Sequence, residues 1–368
     1  MILGIDPSTF LEQQRIAKSK YYRNGKEINP FAELKKNGVS HMRIRIWNDP
    51  HGENGEDYLA GTCDLQNAID LYKYLKEFDF KYIVDFHYSD FWADPAKQAL
   101  PKAWANYTFD QVVEAIYEFT KASLIKIKES GMPVEFVQIG NEITHGLVYP
   151  LGKITDDIED SFNRVSKLLA SGLKALHEVM PGVKSILHLE ESYNIPLYER
   201  YISNLLERNV RFDVIGSSYY PFWHHSFKEY FANMDNIQAK FNIPVMNMEL
   251  GFPFTLLDYK ANENGEKKHL VINADNMTDF KKMMPYECDP EGQRQFIETF
   301  LKLAKEHNLQ GVCYWEPLWI PGEGICWASD EAQKYMHTEA KDTRNEWANQ
   351  CLFDYSGNVL PAFDEYKI

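Results

Sequence analysis

The chain has 368 residues, enough for one large α/β barrel or two ordinary domains; 44% apolar and 25% charged content is the balance of a globular protein with a full core. Its formal net charge of −15 argues against a nucleic-acid partner, because affinity for a phosphate backbone comes from clustered Lys and Arg; a neutral ligand suits this field better. Aromatic residues are plentiful (22 Tyr, 22 Phe, 8 Trp), which serves either a large core or flat platforms for sugar rings.

From the N-terminus, a short apolar, β-rich run followed by a helix-length amphipathic stretch recurs along the chain. The opening MILGIDPSTF has no basic segment or long apolar run of an export signal, and a strand is predicted at Ile2–Asp6. Further strands are predicted at His41–Trp47, Lys81–His87, Glu135–Glu142, Ser185–Leu189, Val214–Tyr220, Val245–Glu249 and Gly311–Trp315. Helices are predicted between most of them, at Asp64–Phe78, Phe109–Glu129, Asp157–Val179, Leu197–Arg208 and Pro290–His307. Strands alternating with helices call for a parallel sheet, and eight of them suit a closed (β/α)8 TIM barrel with long loops at its C-terminal face. No Pro/Gly/Ser-rich linker splits the chain, so one catalytic domain over residues 1–368 is expected. The runner-up is an open doubly wound sheet, but no Gly-rich phosphate loop follows the first strand. Cys63, Cys288, Cys313, Cys326 and Cys351 are odd in number and lack metal spacing, so buried or idle thiols are expected rather than a disulfide framework. No stretch nears the roughly 20 apolar residues of a membrane span.

Alternate strand residues face opposite sides of a sheet. Ile44 and Ile46 oppose Arg43 and Arg45; Val84 and Phe86 oppose Asp85 and His87; Val137 and Ile139 oppose Gln138 and Glu142. His188 lies between Leu187 and Leu189, Ser218 and Tyr220 share a phase, and Asn247 and Glu249 alternate with methionines. The apolar phase must meet the helices, since an unpaired charge there costs several kcal/mol. The polar phase therefore points into the barrel and is richest at the C-terminal strand ends, where barrel enzymes keep their chemistry.

Glu142 and Glu249 end the fourth and seventh strands, facing one pocket. Two such carboxyls are what glycosidic cleavage needs: one protonates the leaving oxygen, the other attacks the anomeric carbon. The bland alternative is a pair of glutamates ion-paired to Arg43 and Arg45. Arg45 is expected to hold the nucleophile ionised, and Arg43, deeper, to pair with Asp85. His87 and His188 are candidates for hydrogen bonds to sugar hydroxyls and carboxylates, and Tyr220 for one to the nucleophile. Trp92, Trp315, Trp319 and Trp327 fall at strand ends, as sugar platforms or as packing under the loops.

The runs DFHYSDFWADP (85–95), QIGNE (138–142), SSYYPFWH (217–224), GVCYWEPLWIP (311–321) and NQCLFDYSGN (349–358) are similar to those of the endo-β-1,4-galactanase family, glycoside hydrolase family 53. The resemblance spans nearly the whole chain. It implies an acid/base at Glu142 and a nucleophile at Glu249, with Arg45 and His87 among the site residues. It also implies that Asn141 binds the 2-hydroxyl and that Trp315 floors the sugar being cleaved. Substrate-binding candidates are thus Arg45, His87, Trp92, Asn141, His188, Tyr220, Trp315 and Trp319. The implied activity is retaining endo-hydrolysis of β-1,4-galactan, the side chains of pectin, by a monomer needing no cofactor.

The chain departs from the family pattern after Glu142 and Glu249 and at His225, where a Gly is usual, so substrate length preference is open. Many bacterial relatives hold calcium in the loop after strand seven; the matching positions here are Asp258, Lys260, Asn262 and Asn264. An ammonium cannot coordinate while charged, so no metal is expected, with Lys260 tying that loop to the next, where Asp330 lies. Rival readings are a retaining glycosidase of the same barrel type acting on galacto-oligosaccharides or another β-glycan, and a non-catalytic carbohydrate-binding barrel, which would lack one of the two glutamates. A metal-dependent barrel hydrolase would want paired histidines after an early strand, where His87 stands alone. Family habit is extracellular or cell-surface, whereas buried thiols and no visible export signal would also suit the cytoplasm.

Overall fold

The computed structural model describes residues 1–260, 270–274, 284–338 and 343–367. The short alternating runs form eight strands: β1 (Ile2–Asp6), β2 (His41–Ile46), β3 (Lys81–Phe86), β4 (Val134–Ile139), β5 (Lys184–Leu189), β6 (Val214–Tyr219), β7 (Val245–Leu250) and β8 (Gly311–Trp315). Each pairs in parallel with the next and β8 returns to β1, so the sheet is a closed barrel and not the open doubly wound alternative.

The connecting helices are α1 (Phe10–Ile16), α2 (Pro30–Lys36), α3 (Leu65–Leu75), α4 (Phe109–Ser130), α5 (Ile158–Val179), α6 (Ile195–Glu207), α7 (Phe227–Phe241) and α8 (Pro290–Glu306). Side chains at the starts of all of these but α1 satisfy otherwise orphaned backbone N–H groups. Asp64 accepts from Asn67 N and Asp289 from Gly292 N, while Thr108 with Gln111 and Ser226 with Glu229 form capping boxes. The Ser226 box opens α7, a helix not anticipated from the apolar pattern.

The polar phase does face inward, above an apolar floor. Ile83, Phe136, Ile186, Val214, Met246, Met248 and Cys313 form a separate cluster inside the barrel, while Ile44, Ile46, Val84 and Val137 join the outer core against the helices. In β7 the expected phase fails at Asn247. Pairing passes from Ser217↔Asn247 to Ser218↔Glu249, leaving Met248 as an extra residue. Asn247 consequently turns out to Tyr230 of α7, and Met248 and Glu249 both face the interior. A bulge of this kind re-aims a side chain, and here the side chain is a candidate nucleophile.

Candidate active site

At the C-terminal mouth lies a cleft of about 490 Å³ whose wall includes both Glu142 and Glu249. Glu142 follows β4 through Gly140 (φ 82°) and itself sits at φ 48°, a backbone region costly for a residue with a Cβ. That turn brings its carboxyl into the mouth, where the Ser218 hydroxyl and Oε1 are 2.5 Å apart. One carboxylate oxygen of Glu142 and one of Glu249 lie within 4.8 Å of each other. So close an approach is nearer to the roughly 5–5.5 Å between the carboxyls of retaining enzymes than to the roughly 6.5–9.5 Å of inverting ones.

The two carboxyls have different neighbours. Burial pushes Glu142 well above the ordinary carboxylate range, and the negative charges of Glu249 and Glu190 add to it; the Ser218 hydroxyl alone pulls the other way. Burial also raises Glu249, but the Arg43 guanidinium and the Tyr220 hydroxyl oppose the rise. Tyr220 donates to Glu249 Oε2 at 2.8 Å, as anticipated, and Arg43 Nη1 lies 3.0 Å from Oε1. Glu142 is thus built to keep its proton and Glu249 to carry the charge.

The arginine meeting Glu249 is Arg43, not Arg45, which corrects the reading from sequence. Arg43 also lies 2.8 Å from Asp85, 3.0 Å from Asp6 and 2.7 Å from Asn141 Oδ1. Burial works against its charge, but Asp85, Glu249 and Asp6 outweigh it. Arg45 instead pairs with Asp6 at 3.1 Å and Glu316 at 2.5 Å, its guanidinium over the rings of Trp92 and Trp315. Strands in a closed barrel are staggered, so depth along one strand does not reveal which residue is level with a strand across the barrel. Glu316, beside Arg45, is pushed up to about 7 by burial, with Arg45 opposing.

His87 lines the cleft, yet both ring nitrogens are engaged. Nδ1 accepts from Trp47 Nε1 and Ala93 N, each at 3.2 Å, which leaves Nε2 to donate to Asp85 at 3.0 Å. His188 does not reach the substrate space. It is fully buried, between Asn141 Oδ1 and the Ser218 hydroxyl, each at 2.9 Å, and burial followed by Arg43 lowers its pKa well below that of a free imidazole. Its strand position sits one layer below the mouth, so it supports groups that Glu142 uses. Asn141 lines the cleft, its Nδ2 donating to Ala93 O and its Oδ1 accepting from Arg43.

Trp92, Trp315 and Trp327 line the cleft, the first two largely buried (6% and 5% exposed). Trp319 does not: it is 1% exposed beneath the others, 5.7 Å from Trp327 and 6.4 Å from Trp92 between ring centroids. In its place Trp347 enters the wall, edge-on to Trp315 at 4.7 Å. Trp347 lies in no strand and sequence reasoning missed it. Trp223, half exposed at the rim, stood in an aromatic run that was read without singling it out. Among the described residues no disulfide forms and no helix is long and apolar enough to cross a membrane.

Of the positions compared with a calcium loop, Asn262 and Asn264 lie outside the described residues. Lys260 is exposed, and among the described residues its side chain makes no ion pair, so the expected tie between loops is not seen; its backbone N–H donates to Asp258.

The pattern of Glycosyl hydrolase family 53 matches residues 2–366. An endo-β-1,4-galactanase of Bacillus subtilis (strain 168) is 32% identical over all of this chain and 85% of its own. An arabinogalactan endo-β-1,4-galactanase of Cellvibrio japonicus is 27% identical over 99% of this chain and 90% of its own. Among solved structures, the family 53 catalytic domain of Ignisphaera aggregans superposes with a TM-score of 0.86 at 32% identity, covering 99% of this chain and 95% of that one.

Proposed function

Because the chain belongs to glycosyl hydrolase family 53, we propose that it cleaves β-1,4-galactan internally and with net retention. Glu249 attacks the anomeric carbon while Glu142 gives its proton to the leaving oxygen. Water, deprotonated by Glu142, then releases the sugar from Glu249. Once Glu249 is esterified its charge is gone, so the repulsion that raised Glu142 falls and the same group becomes a competent base.

The observation that carries this reading is the unequal treatment of two close carboxyls. Both are buried beside other carboxyls, but Glu249 has the Arg43 guanidinium and the Tyr220 hydroxyl to favour its ionised form, whereas Glu142 has the Ser218 hydroxyl alone. Neither step calls for a cofactor, since proton and nucleophile both come from carboxyl groups, and no calcium is proposed near Lys260. The substrate charge is zero, in keeping with a cleft walled by tryptophans and carboxylates. The further reading is of a monomeric single catalytic domain acting outside the cell, as suits a polymer substrate too large to enter it.

The test is to incubate the protein with galactan, mannan and xylan, size the products over time, and follow the anomeric proton of the first product by NMR. Galactan alone should give a ladder of oligosaccharides, first as the β-anomer. An α-anomer first, or release only from the chain end, would contradict the mechanism or the endo mode respectively. Glu249→Ala should abolish turnover of an aryl galactobioside, and azide should restore part of it with inverted product.

A further inference from the structure

Beyond Glu142 the cleft is walled by Glu190, Glu191, Tyr193 and His224. Glu190 lies 3.6 Å from His224 and acts on the Glu142 charge, so this wall adjoins the group that would protonate the leaving oxygen. Tyr193 has a second ring flat against it: His225, at a centroid distance of 3.9 Å and an interplanar angle of 6°. The two belong to different loops, one after β5 and one after β6.

The backbone at His225 is strained. His225 sits at φ 62°, ψ −152°, a region that glycine adopts easily and a residue with a Cβ does not. Two bonds hold it there. Its carbonyl accepts from the Tyr219 hydroxyl at 2.8 Å, and its Nδ1 lies 3.3 Å from Glu229 in the capping box of α7. His225 is behind Tyr193 and is not part of the cleft wall. Its effect on the cleft therefore comes through Tyr193, the half-buried ring it stacks on.

We propose that His225 is a positioning residue that pins the Tyr193 ring as a platform for galactose units beyond the bond being cut. The inference rests on the galactanase reading above. One face of a galactose ring presents C–H groups to a flat ring, and a pre-set platform spares the ordering cost of a mobile one. The expected signature is length dependence: binding of chains that extend past the leaving sugar should depend on His225, and cleavage of an activated aryl glycoside should not.

The experiment begins with the unaltered protein on galactan; absence of cleavage there would defeat the galactanase reading itself. With cleavage in hand, His225→Gly keeps the backbone in its preferred region while deleting the ring. KM for long galactan should rise about fivefold, with kcat within about twofold and a changed product ladder. On an aryl galactobioside, whose phenol ends the leaving group, kcat/KM should change by less than about twofold. His225→Phe, which restores a ring, should recover the galactan KM, and Tyr193→Ala should raise it as His225→Gly does. Equal loss on both substrates, no change on galactan, or failure of the Phe variant to rescue would each overturn the proposal.

Discussion

Ile83 and Asp85 point into the barrel from the same strand, two residues apart. One lies among Phe136, Ile186 and Val214, and the other pairs with Arg43 and His87. The same change of character recurs from Phe136 to Gln138, from Ile186 to His188 and from Val214 to Ser218. The lower layer is apolar and needs only close packing. The upper layer buries four carboxylates and two guanidiniums, a network whose desolvation is costly and whose members hold one another in place. Stability is thus concentrated below and chemistry above, in one continuous interior.

The sharpest way to break this division is to remove the proposed proton donor of the upper layer. Glu142→Ala should lower kcat/KM on galactan by about 10³-fold, and far less on an aryl glycoside with a good leaving group. Equal loss on every leaving group would remove Glu142 from the acid role.

Arg43→Met comes next. It should lower kcat by about 10²-fold. Arg43 holds the Glu249 pKa down, so its loss should move the acidic limb of kcat/KM to higher pH. Arg45→Met should leave that limb in place, because Arg45 serves Asp6 and Glu316. A limb that follows Arg45 instead would reverse the correction made above.

Ile186→Ala probes the lower layer. Denaturant unfolding should show a loss of about 2–5 kcal/mol from the cavity, with kcat within about threefold at temperatures where the protein is folded. A large kcat defect without a stability loss would mean the two layers are not separable.

Glu190→Gln is a smaller perturbation. Glu190 raises the pKa of Glu142, so neutralising it should bring the basic limb of kcat/KM to lower pH, by about half a unit. Movement in the opposite direction would contradict the placement of Glu190 near the acid. The smallest expected effect is that of calcium: EDTA or added calcium should shift the melting temperature by less than about 1 °C, and a large calcium-dependent rise would show a site near Lys260.

The barrel was legible because period-two alternation is strong in short strands and because helix-length amphipathic stretches such as Phe109–Glu129 recur between them. The two glutamates stood out as candidates because each ends a strand beside inward Arg, His or Tyr residues, although the ion pair of Glu249 with Arg43 shows that the blander use is also present. Three residues were misread for one shared reason, that sequence carries phase but not depth. Arg45 was given the partner of Arg43, His188 was placed in the cleft and not under it, and Trp319 was taken for a wall that Trp327 and Trp347 form.

Sequence by itself determined the strand count and the closed topology expected of it, since these follow from local pattern. Only tertiary structure decided which arginine faces Glu249, because the stagger of the strands fixes what lies level across the barrel. It also decided that Glu249 faces inward at all. By plain alternation Met248 inside would put Glu249 outside, and the single bulged residue in β7 brings both to the interior.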